Sequence, residues 1–334
     1  MNLWKIPNNL ATKIKLQFVI GLLALVVLAT YLVASRFESN ESAFHRSSPT
    51  ITSHKPPSTP SQQLLIRAAR NLSESLPLQA AAQLEVNLFG EHIIANGQYC
   101  QIGQGRGASR LEFAFGEPDH PQSVLQICDQ GFFYRIKMND DRPEVQTIDL
   151  RRVADVDRQK LFASPSNWMA TGGLSSLLQS LAENFEFESA QASTFRSIPV
   201  LKMRGSWKPA KLKRLLFGQT RYASIQDKIQ WSGIRNNIPE QCEIVLGNDD
   251  YFPLFPYRIT FLRTSDVDGK PQLVEMAALQ LFELQLNVDV PDEKFKINFD
   301  GMVKTQLTDS IVDRIDHLNE IQRSAGRPRN RVKK

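Results

Sequence analysis

The chain begins with one long apolar run. The run LQFVIGLLALVVLATYLVA spans Leu16–Ala34, and Gln17 is its only strongly polar residue. As a helix it would measure roughly 28 Å, close to the hydrocarbon thickness of a bilayer. Three lysines precede it (Lys5, Lys13 and Lys15), which predicts a cytoplasmic N-terminus and an exported remainder. A cleavable signal peptide would have a shorter apolar core. An uncleaved signal anchor is therefore favoured over a peptide that is cut after Ala34.

A polar stretch follows the apolar run. Residues 35–61 are rich in Ser, Thr and Pro and have no apolar periodicity. Such a segment cannot bury enough surface to offset the entropy lost on ordering. The predicted organisation is therefore a short cytoplasmic N-terminus at 1–15, a transmembrane anchor at 16–34 and a disordered spacer at 35–61. An exported domain at 62–321 and a disordered basic tail at 322–334 follow.

Beyond the spacer, the hydrophobic period changes from helical to strand-like. Ser61 is predicted to cap a helix over QQLLIRAARNLSESL, whose apolar residues recur at helical spacing. The period is then two. In RLEFAF, for example, Leu111, Phe113 and Phe115 share one face. Several such segments, separated by turn residues, predict an antiparallel meander.

The second half of the chain repeats this change of period. TGGLSSLLQSLAENF predicts a helix, because its leucines have helical spacing. Strands are predicted again in FRSIPVLKMRGSWKP, QCEIVLG, PYRITFLR and QLVEMAALQLFELQLNV, and PDEKFKINF is predicted to close the sheet. A short basic helix is expected after Pro209, and a final helix begins near Ser310. The predicted order is helix, meander, helices, meander, helix.

Charge alters this outline only at the C-terminal end. The formal net charge is +5, but RSAGRPRNRVKK carries six basic residues and no acid, so the remainder is close to −1. The folded part therefore lacks the basic face expected of a nucleic-acid-binding domain. Anionic lipid, a polyanionic wall polymer and nucleic acid are candidate partners of the tail, and the alternative is a solvated, disordered end.

A thiol beside a carboxylate occurs in SVLQICDQGFFYRIKM, where Cys128 precedes Asp129 and Gly131. A reactive thiol needs a nearby base or helix N-terminus to lower its pKa, and the local sequence suggests neither. The alternative is a tight hairpin turn, which is favoured because glycine accepts positive φ. Phe132 and Tyr134 would then alternate along the second strand.

No other pattern predicts catalysis or a cofactor. The five histidines are dispersed without an H-E-x-x-H motif, and the three cysteines (Cys100, Cys128 and Cys242) lack C-x-x-C spacing, which argues against a metal centre. The glycine run at 103–107 lacks the Lys-Ser/Thr pair of a phosphate loop and precedes a strand. The sequence therefore predicts a protein that is not an enzyme and has no cofactor.

Taken together, these segments resemble the lipoprotein-carrier superfamily of LolA/LolB-like exported domains. The resemblance rests on an N-terminal helix followed by RLEFAF, LQICDQGFFYRI and IDLRRV, and on the closing segment VDVPDEKFKINF. It covers roughly residues 62–321 and is closest to uncharacterised, signal-anchored bacterial proteins. Two features depart from the family. PLFP at 253–256 looks like an insertion, and the soluble carriers are released whereas this chain has a predicted anchor.

The resemblance implies an α+β fold, with a transmembrane helix before a strongly curved antiparallel sheet. In the family this sheet is an incomplete β-barrel whose concave face is covered by helices, and the apolar cavity between them receives acyl chains. A mobile helical cover suits such a cavity. The ligand-cavity candidates are four residues of the helical lid and four of the sheet lining: Leu174, Leu177, Leu178, Leu181, Phe113, Phe115, Phe132 and Tyr134. The alternative is that these side chains form a plain core.

The expected function is binding of a lipid or a lipidated protein, without catalysis. The expected location is the bacterial cytoplasmic membrane, crossed once, with the N-terminus inside and most of the chain on the periplasmic side. No nucleic acid is expected to bind the folded domain. The alternative is a structural or interaction module of the cell envelope that has no ligand.

Overall fold

The computed structural model describes residues 59–88, 91–103, 107–116, 122–138, 142–153, 173–215, 238–313 and 316. The predicted anchor at 16–34, the spacer as far as residue 58 and the basic tail at 322–334 lie outside these ranges. Within them, no helix is both long enough and apolar enough to cross a membrane.

Thirteen strands in the described ranges form one large, open, curved sheet. They are β1 (Leu78–Leu88), β2 (Glu91–Ile102), β3 (Ala108–Phe115), β4 (Gln122–Asp129), β5 (Phe132–Met138), β6 (Glu144–Asp149), β7 (Phe185–Phe187), β8 (Gln191–Phe195), β9 (Ile198–Trp207), β10 (Gln241–Gly247), β11 (Pro256–Val267), β12 (Lys270–Leu286) and β13 (Val303–Gln306). With few helices added, this architecture is consistent with the predicted incomplete barrel.

Two antiparallel meanders make up most of the sheet. The strand order is β13-β6-β5-β4-β3-β2-β1-β12-β11-β10-β9-β7, and β8 also pairs with β9. The first meander, β1 to β6, joins the second through antiparallel pairing of β1 with β12. Only the pairing of β13 with β6 is parallel among the described strands. The two predicted meanders are therefore confirmed, and they form one continuous sheet.

The hairpin predicted around Gly131 is confirmed. Its strands β4 and β5 pair antiparallel, with Asp129 opposite Phe132. The two turn residues, Gln130 and Gly131, have φ values of 50° and 81°, the positive values that a two-residue hairpin turn of this hand requires. Cys128 is therefore the penultimate residue of a strand, and its side chain is buried.

Within the described ranges, three α-helices of seven residues or more accompany the sheet: α1 (Pro60–Glu74), α2 (Gly173–Asn184) and α3 (Pro209–Leu215); residues 150–153 and 308–313 are also helical. The predicted cap of α1 was misplaced by two residues, because Thr59 and not Ser61 is the N-cap. Thr59 and Gln62 form a reciprocal capping box, which satisfies two amides at the start of the helix. Ser61 instead donates a hydrogen bond to the carbonyl oxygen of Glu188, at 2.6 Å.

Helices α1 and α2 lie on one face of the sheet, which we call the inner face. Both contribute to the main apolar cluster, together with side chains of β1 to β4 and of β7 to β12. On α1 the buried residues Leu65, Ala68, Ala69 and Leu72 form a single stripe, as expected for a helix that packs along one side. The two helices are also tied to each other, because Ser175 Oγ donates to the carbonyl oxygen of Ala69 at 2.7 Å.

The opposite, outer face of the first meander is crossed by the C-terminal segment. The prediction that PDEKFKINF closes the sheet as a strand was wrong, because Asp292–Phe295 forms a 3-10 helix. Phe295 packs in a small cluster with Cys100 and Ile127, and the outer face thereby buries apolar side chains that alternation alone would leave exposed. Residues 288–299 are called the crossing segment below. Farther along, β13 supplies the strand that extends the sheet.

Candidate functional site

Six of the eight predicted cavity residues come together on the inner face. Leu174, Leu177, Leu178 and Leu181 of α2 share the main apolar cluster with Phe113 and Phe115 of β3. Each of the four leucines is at most 3% exposed. The contact between α2 and the sheet is thus a packed apolar layer, the arrangement expected if the helical cover is closed.

Phe132 and Tyr134 lie on the outer face instead. The register pairs their neighbour Phe133 with Cys128 and Cys128 with Ser109, so Phe133 is the residue that shares a face with Phe113. The Phe132 and Tyr134 rings stack with centroids 6.1 Å apart. Tyr134 also lies 5.9 Å from the ring of Phe299 in the crossing segment. Tyr134 therefore packs against the crossing segment, the Phe132 ring lies beneath the Arg151 guanidinium, and neither ring faces α2.

The start of α2 is held by a buried polar network. The backbone N–H of Leu174 donates to the Tyr99 hydroxyl at 3.2 Å, and that hydroxyl donates to Gln101 Oε1. Gln101 Nε2 in turn donates to the carbonyl oxygen of Leu72, at the end of α1, at 2.7 Å. Burial raises the pKa of Tyr99, so this hydroxyl remains a donor. The network joins both helices to β2 and fixes their positions over the sheet.

Two glycines permit the close approach of neighbouring groups. Gly97 of β2 pairs with Phe113, and a Cβ at Gly97 would lie 2.9 Å from Phe113 Cδ1 and 1.8 Å from the Glu112 carbonyl oxygen. Gly173 begins α2 with φ of 65°, and a Cβ there would lie 2.7 Å from the Tyr99 hydroxyl oxygen. Both positions therefore require a residue without a side chain.

An apolar cleft opens beside the end of α1. Its volume is about 320 Å³, and it is lined by Asn71, Glu74, Ser75, Leu76, Phe252, Pro253 and Leu286. Phe252 belongs to the main apolar cluster and Leu286 packs against it, while Leu76 is 47% exposed. The cleft therefore connects solvent with the edge of the core. The PLFP segment, which looked like an insertion in the sequence, forms part of this rim.

A buried basic pair on the inner face was missed by the sequence interpretation. Arg135 and Lys137 of β5 are only 3% and 9% exposed. The register places Arg135 opposite Gln126 and Lys137 opposite Val124, and Val124 is opposite Phe113. The sequence does show that Phe133, Arg135 and Lys137 alternate with the aromatic positions of the same strand. Alternation alone does not show which of these two sets of side chains faces inward.

The three cysteines are buried. Burial is the main cause that raises the pKa of Cys128 to about 12, and it also raises the pKa of Cys100 and Cys242. All three groups are therefore protonated thiols at neutral pH, which is unfavourable for nucleophilic chemistry. Among the described residues, no group of three or more His, Cys, Asp or Glu side chains is arranged to hold a metal ion.

Comparison with known proteins gave matches among solved structures only. A scan against protein-family models found no match, and a search of curated proteins also found none. One similar structure is a DUF1329 family protein from Desulfovibrio piger, with 13% identity, a TM-score of 0.33 and coverage of 70% of this chain and 95% of that chain. Another is a putative outer membrane lipoprotein-sorting protein domain from Vibrio parahaemolyticus, with 9% identity, a TM-score of 0.33 and coverage of 70% and 95%.

A LolA superfamily protein from Nitrosomonas europaea is also similar to this chain. The identity is 9%, the TM-score is 0.28, and the match covers 71% of this chain and 98% of that chain. The family suggested by the sequence resemblance is thus represented among the structural matches. All three matches are distant, and the curved sheet described above is defined by the strand pairing of this chain itself.

Proposed function

We propose that this chain is a membrane-anchored, exported protein that binds a lipid, or the acyl chain of a lipidated protein, on the inner face of its sheet. No catalytic step is involved. The anchor is the apolar run at 16–34 in the bacterial cytoplasmic membrane, and the bulk of the chain is periplasmic. The observation that carries this proposal is the apolar inner face, on which two short helices contact the sheet through leucine and alanine side chains.

In such a contact, an apolar ligand can take the place of the helix on the sheet. Hydrophobic burial is non-directional and depends mainly on the area removed from water. An acyl chain that displaces α2 from Phe113 and Phe115 would therefore replace much of the burial that the four leucines provide. Directed bonds hold α2 at both ends: those of Tyr99 and Ser175 at its start, and those that Gln62 and Lys208 donate to carbonyl oxygens near its end.

The cleft beside α1 supports the same function. Its volume of about 320 Å³ lies at the lower end of the range of small-molecule sites. It is apolar on the side of Phe252 and Leu286, which belong to or pack against the core. An acyl chain entering there would meet the edge of the core at Phe252 and Leu286.

The proposal is tested by photo-cross-linking in cells that express the full chain. A benzophenone amino acid is placed at Phe115, which is 8% exposed on the inner face. The matched control places it at Met138, whose side chain belongs to the outer-face set of β5 and is 44% exposed. After irradiation, the denatured protein is digested and the adduct masses are measured.

We expect adducts with the mass of a lipid, or of a lipidated peptide, at position 115 and none at position 138. Adducts that join position 115 only to other parts of this chain would refute the proposal. Adducts with an unlipidated protein would favour the envelope interaction module.

A further inference from the structure

Arg135 and Lys137 form a basic pair beside the apolar part of the inner face. Alternate residues of a strand point the same way and lie about 6.6 Å apart along it. In the row of residues that contains Lys137, the neighbours on β4 and β3 are Val124 and Phe113. At about 4.8 Å per strand, Lys137 lies roughly 10 Å from the Phe113 position. A cationic site and an apolar site are therefore continuous on one surface.

The Arg135 guanidinium lacks an acidic partner in the described part of the chain. Nη1 donates a long hydrogen bond of 3.5 Å to the neutral amide of Gln146, and Nε has no hydrogen-bond partner within the described ranges. The remaining contact is with the face of the Phe133 ring, whose centroid is 5.7 Å from Cζ. Lys137 is opposite Glu144 in the register. Glu144 is exposed, and no ion pair between the two is found among the described residues.

This arrangement is costly for the protein on its own. A buried cation loses hydration, and neither a neutral amide nor a ring face replaces it fully. The cost is visible in the lowered pKa of Arg135, about 10 because of burial. The pKa of Lys137 is also lowered, by burial and by Arg135, although the charge of Glu144 acts in the opposite direction. Arg135 nevertheless remains protonated at neutral pH. On the same face, the Gln122 side chain adds a buried oxygen that has no hydrogen-bond partner among the residues described.

We propose that Arg135 and Lys137 bind the phosphate group of an anionic amphiphile whose acyl chains lie on the apolar surface around Phe113. This inference rests on the proposed function and specifies its ligand. Two adjacent cations match the charge of a phosphate monoester better than that of a single carboxylate. The planar guanidinium offers parallel N–H donors to two phosphate oxygens, and the Lys137 ammonium adds a point charge. The Gln122 oxygen can accept a hydrogen bond from a ligand hydroxyl.

The test compares three probes on the full chain, purified in a nonionic detergent. They are dioleoyl phosphatidic acid, dioleoylglycerol with the same acyl chains, and sodium phosphate. Binding is measured as the shift of the thermal midpoint and as lipid retained after gel filtration. The variants are Arg135→Met, Lys137→Met and the control Arg204→Met. Arg204 is exposed on the outer face of β9, where it forms an ion pair of 2.8 Å with Glu243.

We expect phosphatidic acid to stabilise the wild type and Arg204→Met more than dioleoylglycerol does. Arg135→Met should weaken phosphatidic acid binding by about tenfold or more, the size of a lost charge-assisted contact, and leave dioleoylglycerol binding unchanged. If Arg135→Met does not fold, Lys137→Met serves the same comparison, with a smaller loss expected.

The outcomes separate this inference from the proposed function. Equal binding of the two lipids, insensitive to Arg135, overturns the phosphate site and leaves lipid binding intact. Arg135-dependent binding of sodium phosphate without binding of either lipid supports an anion site but refutes the lipid-binding function. Absence of any binding refutes both.

Discussion

The inner face of the sheet has two regions, which differ in whether their buried polar groups have hydrogen-bond partners. In the region beneath α1 and α2, the Tyr99 hydroxyl and the Gln101 amide each have hydrogen-bond partners. In the region of β4 and β5, Arg135 and Gln122 retain buried polar atoms without hydrogen-bond partners among the described residues. A satisfied network stabilises one structure, whereas unsatisfied buried groups weaken it. The first region therefore stabilises the fold, and the second is where we propose that the ligand binds.

Loss of apolar packing beneath the helices should have the largest effect on the free energy of unfolding. Leu178→Ala should lower the free energy of unfolding by about 2–5 kcal/mol, because it removes a fully buried side chain and leaves a cavity. Urea unfolding of the full chain in a nonionic detergent, followed by tryptophan fluorescence, measures the change. The control Leu273→Ala, at a position that is 38% exposed, should cost much less. Equal losses would mean that α2 is not packed on the sheet.

Breaking the satisfied network should have the next largest effect. Tyr99→Phe removes the hydroxyl that accepts from the Leu174 N–H and leaves that buried donor unpaired. The expected loss is about 1–3 kcal/mol in the free energy of unfolding. Hydrogen exchange at the Leu174 amide should become faster in the same variant. An unchanged exchange rate there would show that the hydroxyl does not hold the start of α2.

Removing a buried polar group from the β5 region should have the opposite effect on stability. Arg135→Met replaces a buried cation, which has no acidic partner in the described part of the chain, by an apolar side chain of similar length. The free energy of unfolding without added ligand should stay the same or rise by about 1 kcal/mol. The urea unfolding assay measures it, with Arg204→Met as the control. A loss of several kcal/mol would mean that Arg135 is a structural residue, and the contrast between the two regions would disappear.

The smallest effect is expected for alkylation of the cysteines in the native protein. Because burial raises the pKa of Cys128 to about 12, the reactive thiolate is scarce at pH 8, and the pKa of Cys100 and Cys242 is shifted in the same direction. Iodoacetamide should therefore label the native protein negligibly at pH 8 and label all three thiols after unfolding. Mass spectrometry of the intact protein counts the labels. Rapid native labelling of Cys128 would restore the reactive-thiol interpretation.

Local sequence was sufficient for the hairpins and the helices. Gly131 accepts the positive φ that its turn requires, and the turn at Asp268 and Gly269 follows the same rule with φ of 54° and 75°. The leucines of α2 recur at helical spacing and are buried as one stripe. These features depend on interactions between residues close in the chain, so the pattern alone predicts them.

The candidate site was only partly predictable, because alternation does not identify the inward side. Phe113 and Phe132 belong to strands with similar alternation, yet the first faces α2 and the second faces outward. The difference arises because the crossing segment covers the outer face of β2 to β5, where Ile127 is buried and Tyr134 is partly buried. Both faces of these strands are therefore covered, and side-chain polarity no longer distinguishes them.

The sequence by itself determined where most of the strands, turns and α-helices form, since these follow from residue-level preferences for backbone angles and from hydrophobic periodicity; the exceptions are the 3-10 helix at Asp292–Phe295 and the short strand β13. Only the tertiary structure decided that Arg135 and Lys137 are buried beside the apolar surface of Phe113, and that the closing segment crosses the outside of the sheet. Those outcomes depend on strand register and on contacts between residues far apart in the chain, such as Arg110 with Lys294. Periodicity within one strand carries no information about either.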